Sequence, residues 1–344
     1  MKERAKKAIK IVGFTLCAVI IFSFLSTVFE RKTYTGAWNY MAKLNEFYSL
    51  EEHTLDYIGV GSSHMYCTLN PLEVWKKTGA AGFVLATQQQ PLRASYHYIK
   101  EAFKTQSPKY VILEGYMICA EEAHDSAVLY DAIDPLRPSW NKFQMINSLI
   151  PYEQRPEYYF NILKYHSRWS SITAEEINRI FEEHIDTNKG FVALDGSFSG
   201  NNLIPDYENT RDIPLSKYNL DILNDIYDLT KAHDAELILM FGPYESSSAE
   251  LTEKIKAEIT WANQKGIPVL DYAQLLNTIG IDPEQDYYDA RHLDVSGAAK
   301  VSSHFADYLL EKGIGKNDSI DAEKWSSDYN AYAEAFSSEL TPGE

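Results

Sequence analysis

A serine hydroxyl is a weak nucleophile at neutral pH until a base takes its proton, and that base needs a third group to hold its tautomer. Two short stretches of this chain carry the residue types for such a relay. The first is Gly61-Ser62-Ser63-His64, inside LDYIGVGSSHMYCTLNP (Leu55–Pro71). The second is an Asp-x-x-His turn, Asp289 and His292, at the head of YYDARHLDVSGAAKVSSHFADYLL (Tyr287–Leu310). Ser63 is the candidate nucleophile, His292 the base and then the acid, and Asp289 the group that orients His292. Neither stretch is specific alone. Gly-Ser-Ser is a common turn, and an isolated Asp-x-x-His is often an exposed helix cap. Their joint placement is what carries the reading.

The elements that must position them follow from apolar patterning. Leu55, Tyr57, Ile58 and Val60 read as a buried strand ending in the Gly59/Gly61 turn. Asn70, Pro71 and Gly79 supply the cap, first position and end of the helix after it. Gly82–Ala86, Lys109–Gly115, Glu236–Gly242 and Ile267–Tyr272 are further short apolar runs. Between them lie helical spacings: Tyr96, Ile99, Phe103 after Pro91; Ile222, Ile226, Leu229; and Leu251, Ile255, Ile259, Ala262. Continuous apolar strands alternating with helices predict an α/β fold with a parallel sheet covered on both faces. In such a sheet the carboxyl ends of the strands form the ligand crevice. Ser63 closes the first strand, and Asp289 and His292 precede a last helix capped by Asp294 with Ala298, Val301, Phe305 and Tyr308 on one face. All three residues therefore share one rim.

This conjunction resembles the SGNH (GDSL-like) hydrolase superfamily. GVGSSHMY is similar to its first block, with Gly61-Ser62-Ser63 where Gly-Asp-Ser is usual, and DARHLDVSGAAK to its last. The likeness is nearest to the membrane-anchored branch that includes the teichoic-acid D-alanylation protein DltD and the alginate acetylation proteins. It covers roughly residues 55–120 and 235–312. It implies a flavodoxin-like doubly wound sheet of order 2-1-3-4-5, a Ser63–His292–Asp289 triad, and acyl-ester chemistry on a cell-envelope polysaccharide or glycopolymer. A membrane-bound O-acyltransferase is an implied partner, and no cofactor or metal is implied. In place of the family's second-block glycine and third-block asparagine stand Thr87-Gln88-Gln89-Gln90-Pro91 and Glu114-Gly115-Tyr116. The oxyanion donors expected here are the backbone amides of Ser63 and His64 and the side-chain amide of Gln90. A catalytically weak accessory or glycan-binding subunit is the alternative function.

From about 120 to 215 the α/β rhythm breaks into a mostly helical insertion with Pro135, Pro138, Pro151 and Pro156 and the aromatic run PEYYFNILKYHSRW (Pro156–Trp169). Thr173 and Glu176 have capping-box spacing, and Lys189–Asn202 reads as a loop. An insertion of this length reads as a substrate-side cap. His166, Arg168 and Trp169 are candidate substrate-binding residues, against the plainer reading that these aromatics are the insertion's own core. His64 follows the candidate nucleophile and could approach the site, with a surface or cap role the favoured reading.

Ile11–Phe29 is an uncharged run of 19 residues, preceded by a basic segment (1–10) and followed by Arg31 and Lys32. It is long enough to cross a bilayer, and the flanks predict a cytoplasmic N-terminus. No small-x-small cleavage site ends the run, and Leu16 before Cys17 does not suit a lipoprotein signal. An uncleaved anchor is the favoured reading, with 33–315 an extracytoplasmic domain and 316–344 a polar, acidic tail. In that tail Trp325, Tyr329, Tyr332 and Phe336 make a helical stripe suited to docking on the protein's own surface. Of the chain's 32 Lys/Arg and 49 Asp/Glu, seven and two fall in residues 1–32, leaving a remainder of net charge −22. Such a domain repels nucleic acid. Cys67 and Cys119 follow the ends of the first and third strands, where either a disulfide or two separate packed thiols is compatible with the spacing.

Overall fold

The computed structural model describes residues 2–30, 36, 38–119, 125–178, 180–181, 184–196, 198–199, 204–243 and 248–337. Five parallel strands form one sheet: β1 (Tyr57–Gly61), β2 (Gly82–Ala86), β3 (Tyr110–Glu114), β4 (Glu236–Phe241) and β5 (Val269–Asp271), in the order β2-β1-β3-β4-β5. The register pairs Val60 with Leu85 and with Leu113, so β1, β2 and β3 end on one level. The chain leaves β1 toward β2 on one side and returns to β3 on the other, which opens a crevice at the carboxyl end of β1. The expected fold class and strand order are those observed.

Because strand side chains alternate, the sheet serves two cores. Ile58, Val60, Val111, Leu113, Leu237 and Leu239 face one side, against α5 (Leu92–Ala102), α11 (Lys217–Ala232) and α12 (Ala249–Lys265). Tyr57, Tyr110, Ile112, Ile238 and Met240 face the other, against Val301, Phe305 and Leu309 of α14 (Val295–Glu311). Both faces are dry, which is why the strands read as continuous apolar runs.

Helix α1 (Lys2–Phe29) precedes α2 (Tyr40–Ser49), which buries Tyr40, Leu44 and Phe47. Helix α3 (Ser63–Tyr66) follows β1, and α4 (Pro71–Thr78) has the expected boundaries. Asn70 accepts the Leu72 amide at its start, and Gly79 ends it at φ 79°, a left-handed position that favours glycine. The insertion holds α6 (Ser126–Ile133), α7 (Trp140–Leu149), α8 (Arg155–Tyr159), α9 (Asn161–Tyr165), a 3-10 turn (His166–Ser170) and α10 (Ala174–Asn178). Thr173 and Glu176 form the reciprocal capping box. Helix α13 (Leu276–Ile279) follows β5. Helix α15 (Ala322–Ala335) packs Trp325 and Tyr332 on the domain itself, and its Asp328 joins Glu46 around Lys189 at 2.5 and 2.6 Å. Cys67 is a buried free thiol, so no disulfide joins it to Cys119.

Candidate active site

Ser63 is the first residue of α3, one position past the Ser62 that caps it. The turn is held from below by Glu114, the last residue of β3. The buried Glu114 carboxylate accepts the Ser62 hydroxyl at 2.7 Å and the Ser62 amide at 3.1 Å, and also the Tyr116 amide. Burial pushes this carboxyl above its usual range, and the donated bonds offset only part of that rise. Gly61 must be glycine for this arrangement, since a Cβ there would stand 2.4 Å from Glu114 Cβ.

Asp289 and His292 are carried by a small antiparallel hairpin, β6 (Tyr287–Asp289) and β7 (His292–Leu293), that runs into α14. Asp289 accepts the Arg291 and His292 amides at 2.8 and 3.0 Å, closing the turn. Its two carboxylate oxygens each lie 2.9 Å from His292 Nδ1, and His292 Nε2 lies 2.8 Å from Ser63 Oγ. Burial would raise the Asp289 carboxyl, but the bonds from the His292 ring and the two amides outweigh it and hold the group below its ordinary value. An ionised Asp289 keeps the proton on Nδ1 and leaves Nε2 as the acceptor facing Ser63. Three residues 229 and 3 positions apart thus form one hydrogen-bonded line.

His64 is not at the surface. Its ring is buried and stacks on Tyr116 with centroids 3.9 Å apart, 5.4 Å from the His292 ring. Burial, then the neighbouring His292 and Arg291, pull its pKa down to about 3. A neutral His64 does not oppose a positive charge forming on His292. The His64 amide is engaged by Ser62 Oγ at 3.3 Å, so it is a poorer oxyanion donor than expected. The Ser63 amide bonds no acceptor among the described residues.

Gln90 is displaced from the site altogether. Its side chain is fully buried, donating to Ser95 Oγ and accepting from Thr87 Oγ1, because Pro91 turns the chain straight into α5. Its two predecessors take the place at the rim. Gln88 and Gln89 line the cavity over Ser63, and the Gln88 amide is bonded to Tyr40 Oη at 3.0 Å. Gln89 has φ 48°, a left-handed conformation at the lip of the site.

That cavity has a volume of about 760 Å³. Besides the relay its walls are mainly aromatic and apolar: Trp38, Tyr66, Tyr116, Phe198, Tyr288 and Leu194. Trp38 Nε1 donates to Tyr66 Oη at 3.1 Å, fixing one wall. Among the described residues no group of His, Cys, Asp or Glu is arranged to hold a metal ion.

No protein-family profile and no curated protein sequence matches this chain. Among solved structures it is similar to a chain from Desulfitobacterium hafniense DCB-2 described as a lipolytic protein of the G-D-S-L family. The identity is 11% and the TM-score 0.39, over 74% of this chain and 98% of that one. It is also similar to a gut microbial diltiazem-metabolizing enzyme, at 11% identity and a TM-score of 0.26, over 78% of this chain and 48% of that one.

His166, Arg168 and Trp169 stand apart from the cavity. Arg168 caps the end of α1 by donating to the Phe29 and Glu30 carbonyls at 3.1 and 2.9 Å, and it pairs with Glu176. His166 bonds the Leu163 carbonyl, and Trp169 is exposed. Their helices rest against α1 rather than over Ser63, and among the described residues of the insertion it is Leu194 and Phe198 that line the cavity. Sequence reasoning missed Trp38, Tyr116, Tyr288 and Glu114. The signal for Glu114 is an acidic residue ending an otherwise apolar central strand, which demands a buried set of donors.

Proposed function

We propose that the chain is a membrane-anchored serine acyl-transfer enzyme of the SGNH type, an O-acyltransferase or acyl esterase acting on a cell-envelope polysaccharide or glycopolymer. The observation that carries this reading is the Ser63–His292–Asp289 line, at hydrogen-bond distance throughout. Ser63 Oγ attacks the acyl carbonyl as its proton passes to His292 Nε2, and the new imidazolium is held by Asp289. His292 then gives that proton to the departing alkoxide, leaving the acyl group on Ser63. A water or a sugar hydroxyl, deprotonated by His292, attacks the acyl-serine and restores the free enzyme. The Ser63 amide and the side-chain amides of Gln88 and Gln89 are the donors proposed for the oxyanion, in place of Gln90.

Two features support a sugar acceptor. The cavity walls offer flat aromatic faces at Trp38, Tyr116 and Tyr288, and sugar rings pack on such platforms. Helix α1 is long and apolar enough to cross a membrane, which fits a site held close to envelope polymers. In this reading the N-terminus is cytoplasmic and the domain extracytoplasmic. A held acceptor can outcompete water because its effective molarity exceeds that of any free alcohol.

The test gives the full-length chain in detergent an aryl acyl ester, with and without envelope oligosaccharides, and quantifies acylated sugar and free acid. Acylated sugar supports the transferase. Free acid alone reduces the reading to an esterase. Neither product leaves the accessory subunit, for which the Gln88 backbone amide, already bonded to Tyr40 Oη, is the structural argument.

A further inference from the structure

The last two turns of α1 are not separate from the domain. Phe22 packs edge-on against Phe160 at 5.1 Å, the Asn161 side chain donates to Glu30 Oε1, and Arg168 caps the Phe29 and Glu30 carbonyls. Phe22, Ser26 and Phe29, spaced i, i+4, i+7, are half-buried there. Ser23, Ser26 and Thr27 share a groove of about 460 Å³ with Phe143 and Phe160.

This docking sets a depth. The uncharged run Ile11–Phe29 is about 28 Å long at 1.5 Å per residue, which just matches a hydrocarbon core of about 30 Å. Phe22 lies seven residues, or roughly 10 Å, inside its end. Were the insertion to stay in water, only Ile11–Ile21 would remain to cross, roughly 16 Å of helix, far short of the bilayer. Snorkelling by Lys10 adds about one turn and does not close that gap. The side chains packed on Phe22 must therefore enter the membrane with it.

The surface of the insertion suits that position. Phe160 and Leu163 are exposed beside α1, and Trp169 is 74% exposed next to the Arg168 cap. An aromatic stack runs outward from there, Tyr159 on Phe143 at 5.4 Å and Phe143 on Trp140 at 4.9 Å, with Trp140 70% exposed. The cationic groups between them are held by protein partners. Lys164 pairs with Asp134 at 2.6 Å, and Lys142 donates to the Asp134 and Leu136 carbonyls. Aromatic rings at the level of a span's end are the residues that occupy a membrane interface.

We infer that α7, α9 and the following 3-10 turn form a membrane-embedded collar, with Phe160, Leu163, Trp140 and Trp169 inserted in the leaflet where α1 ends. The inference rests on α1 being a membrane anchor. It also locates the active site. Met41 and Asn45 of α2 line the collar groove, while Trp38 just before α2 lines the cavity. Seven residues of near-helical rise, about 10 Å, separate Trp38 from Asn45, so the Ser63 cavity opens close to the lipid surface.

The test reconstitutes the full-length chain in phosphatidylcholine–phosphatidylglycerol vesicles with plain or acyl-chain-brominated lipid and reads tryptophan fluorescence. Helix α1 contains no tryptophan, so any quenching reports the domain. The expected result is clear quenching by brominated lipid, reduced at least twofold in Trp140→Phe/Trp169→Phe. Carbonate-resistant chain with no quenching, or with quenching unchanged in the double variant, overturns the collar while leaving the anchor intact. Extraction by carbonate overturns the anchor and the collar with it. Quenching lost as copies are crowded into the vesicle would give the aromatic face to a second copy and overturn the lipid assignment.

Discussion

Glu114→Gln isolates the support beneath the nucleophile. One carboxylate oxygen accepts both donors of Ser62, and the other faces the Tyr116 amide, with the Met117 amide also bonding the carboxylate. A glutamine has a single acceptor oxygen, so an NH2 group must confront either Ser62 or the Tyr116–Met117 amides. Two buried donors that lose their acceptor cost about 2–6 kcal/mol. Part of this is offset, because burial already raises the Glu114 carboxyl and a neutral amide escapes that penalty. The net loss expected is in the lower half, ~2–4 kcal/mol, a large share of a typical domain's stability. Ser62 caps α3 and so sets where Ser63 meets His292. Turnover should therefore fall at least tenfold with KM little changed, as for an interaction made mainly in the transition state. Urea unfolding and aryl-ester kinetics on wild type and variant check both. A variant within about 0.5 kcal/mol of wild type, the range of an ordinary surface change, and with unchanged kcat would refute the reasoning.

Ser63→Ala and His292→Ala should each abolish ester turnover, and the double variant should be hardly worse than either, because residues acting as a unit give non-additive losses; steady-state rates of the three settle it. Asp289→Asn should be milder, since the Asp289 side chain is 45% exposed and water partly screens its interaction with His292. Burial raises Asp294, the cap of α14, from 3.8 to about 6. A raised acid contributes stability that is present below its unfolded value and lost as pH rises through the folded one. Wild type should thus lose stability relative to Asp294→Asn between about pH 4 and 6, with the variant keeping an oxygen for the Gly297 amide; urea midpoints across that range test this, and parallel curves would contradict it.

The sheet was legible because both its faces are dry: Ile58 and Tyr57 point to opposite cores, and each strand reads as an unbroken apolar run. The juxtaposition of Ser63, His292 and Asp289 was legible because each adjoins such an element, and the α/β order puts strand ends on one rim. Choosing among Gln88, Gln89 and Gln90 was not, since three identical side chains differ only in where Pro91 starts α5. The insertion was legible as helices, down to the Thr173–Glu176 box, but not in its placement. His166, Arg168 and Trp169 looked like a substrate groove because aromatic and basic residues serve both sugars and membrane interfaces. What the structure adds is that this segment packs on the end of α1, through Phe160 on Phe22, Asn161 on Glu30 and Arg168 on the Phe29 and Glu30 carbonyls. Glu114 escaped notice because the donors that make a buried carboxylate tolerable, at Ser62 and Tyr116, come partly from another strand's end.

The most direct test of the central claim is covalent capture of Ser63. Full-length chain in detergent would be treated with a fluorophosphonate, whose phosphorus is attacked by an activated serine Oγ with loss of fluoride, and digested for peptide mass mapping. The expected result is a single phosphonylated site at Ser63, absent in Ser63→Ala and strongly reduced in His292→Ala. Wild-type chain that stays unlabelled, or that is labelled equally well without His292, would contradict an activated Ser63.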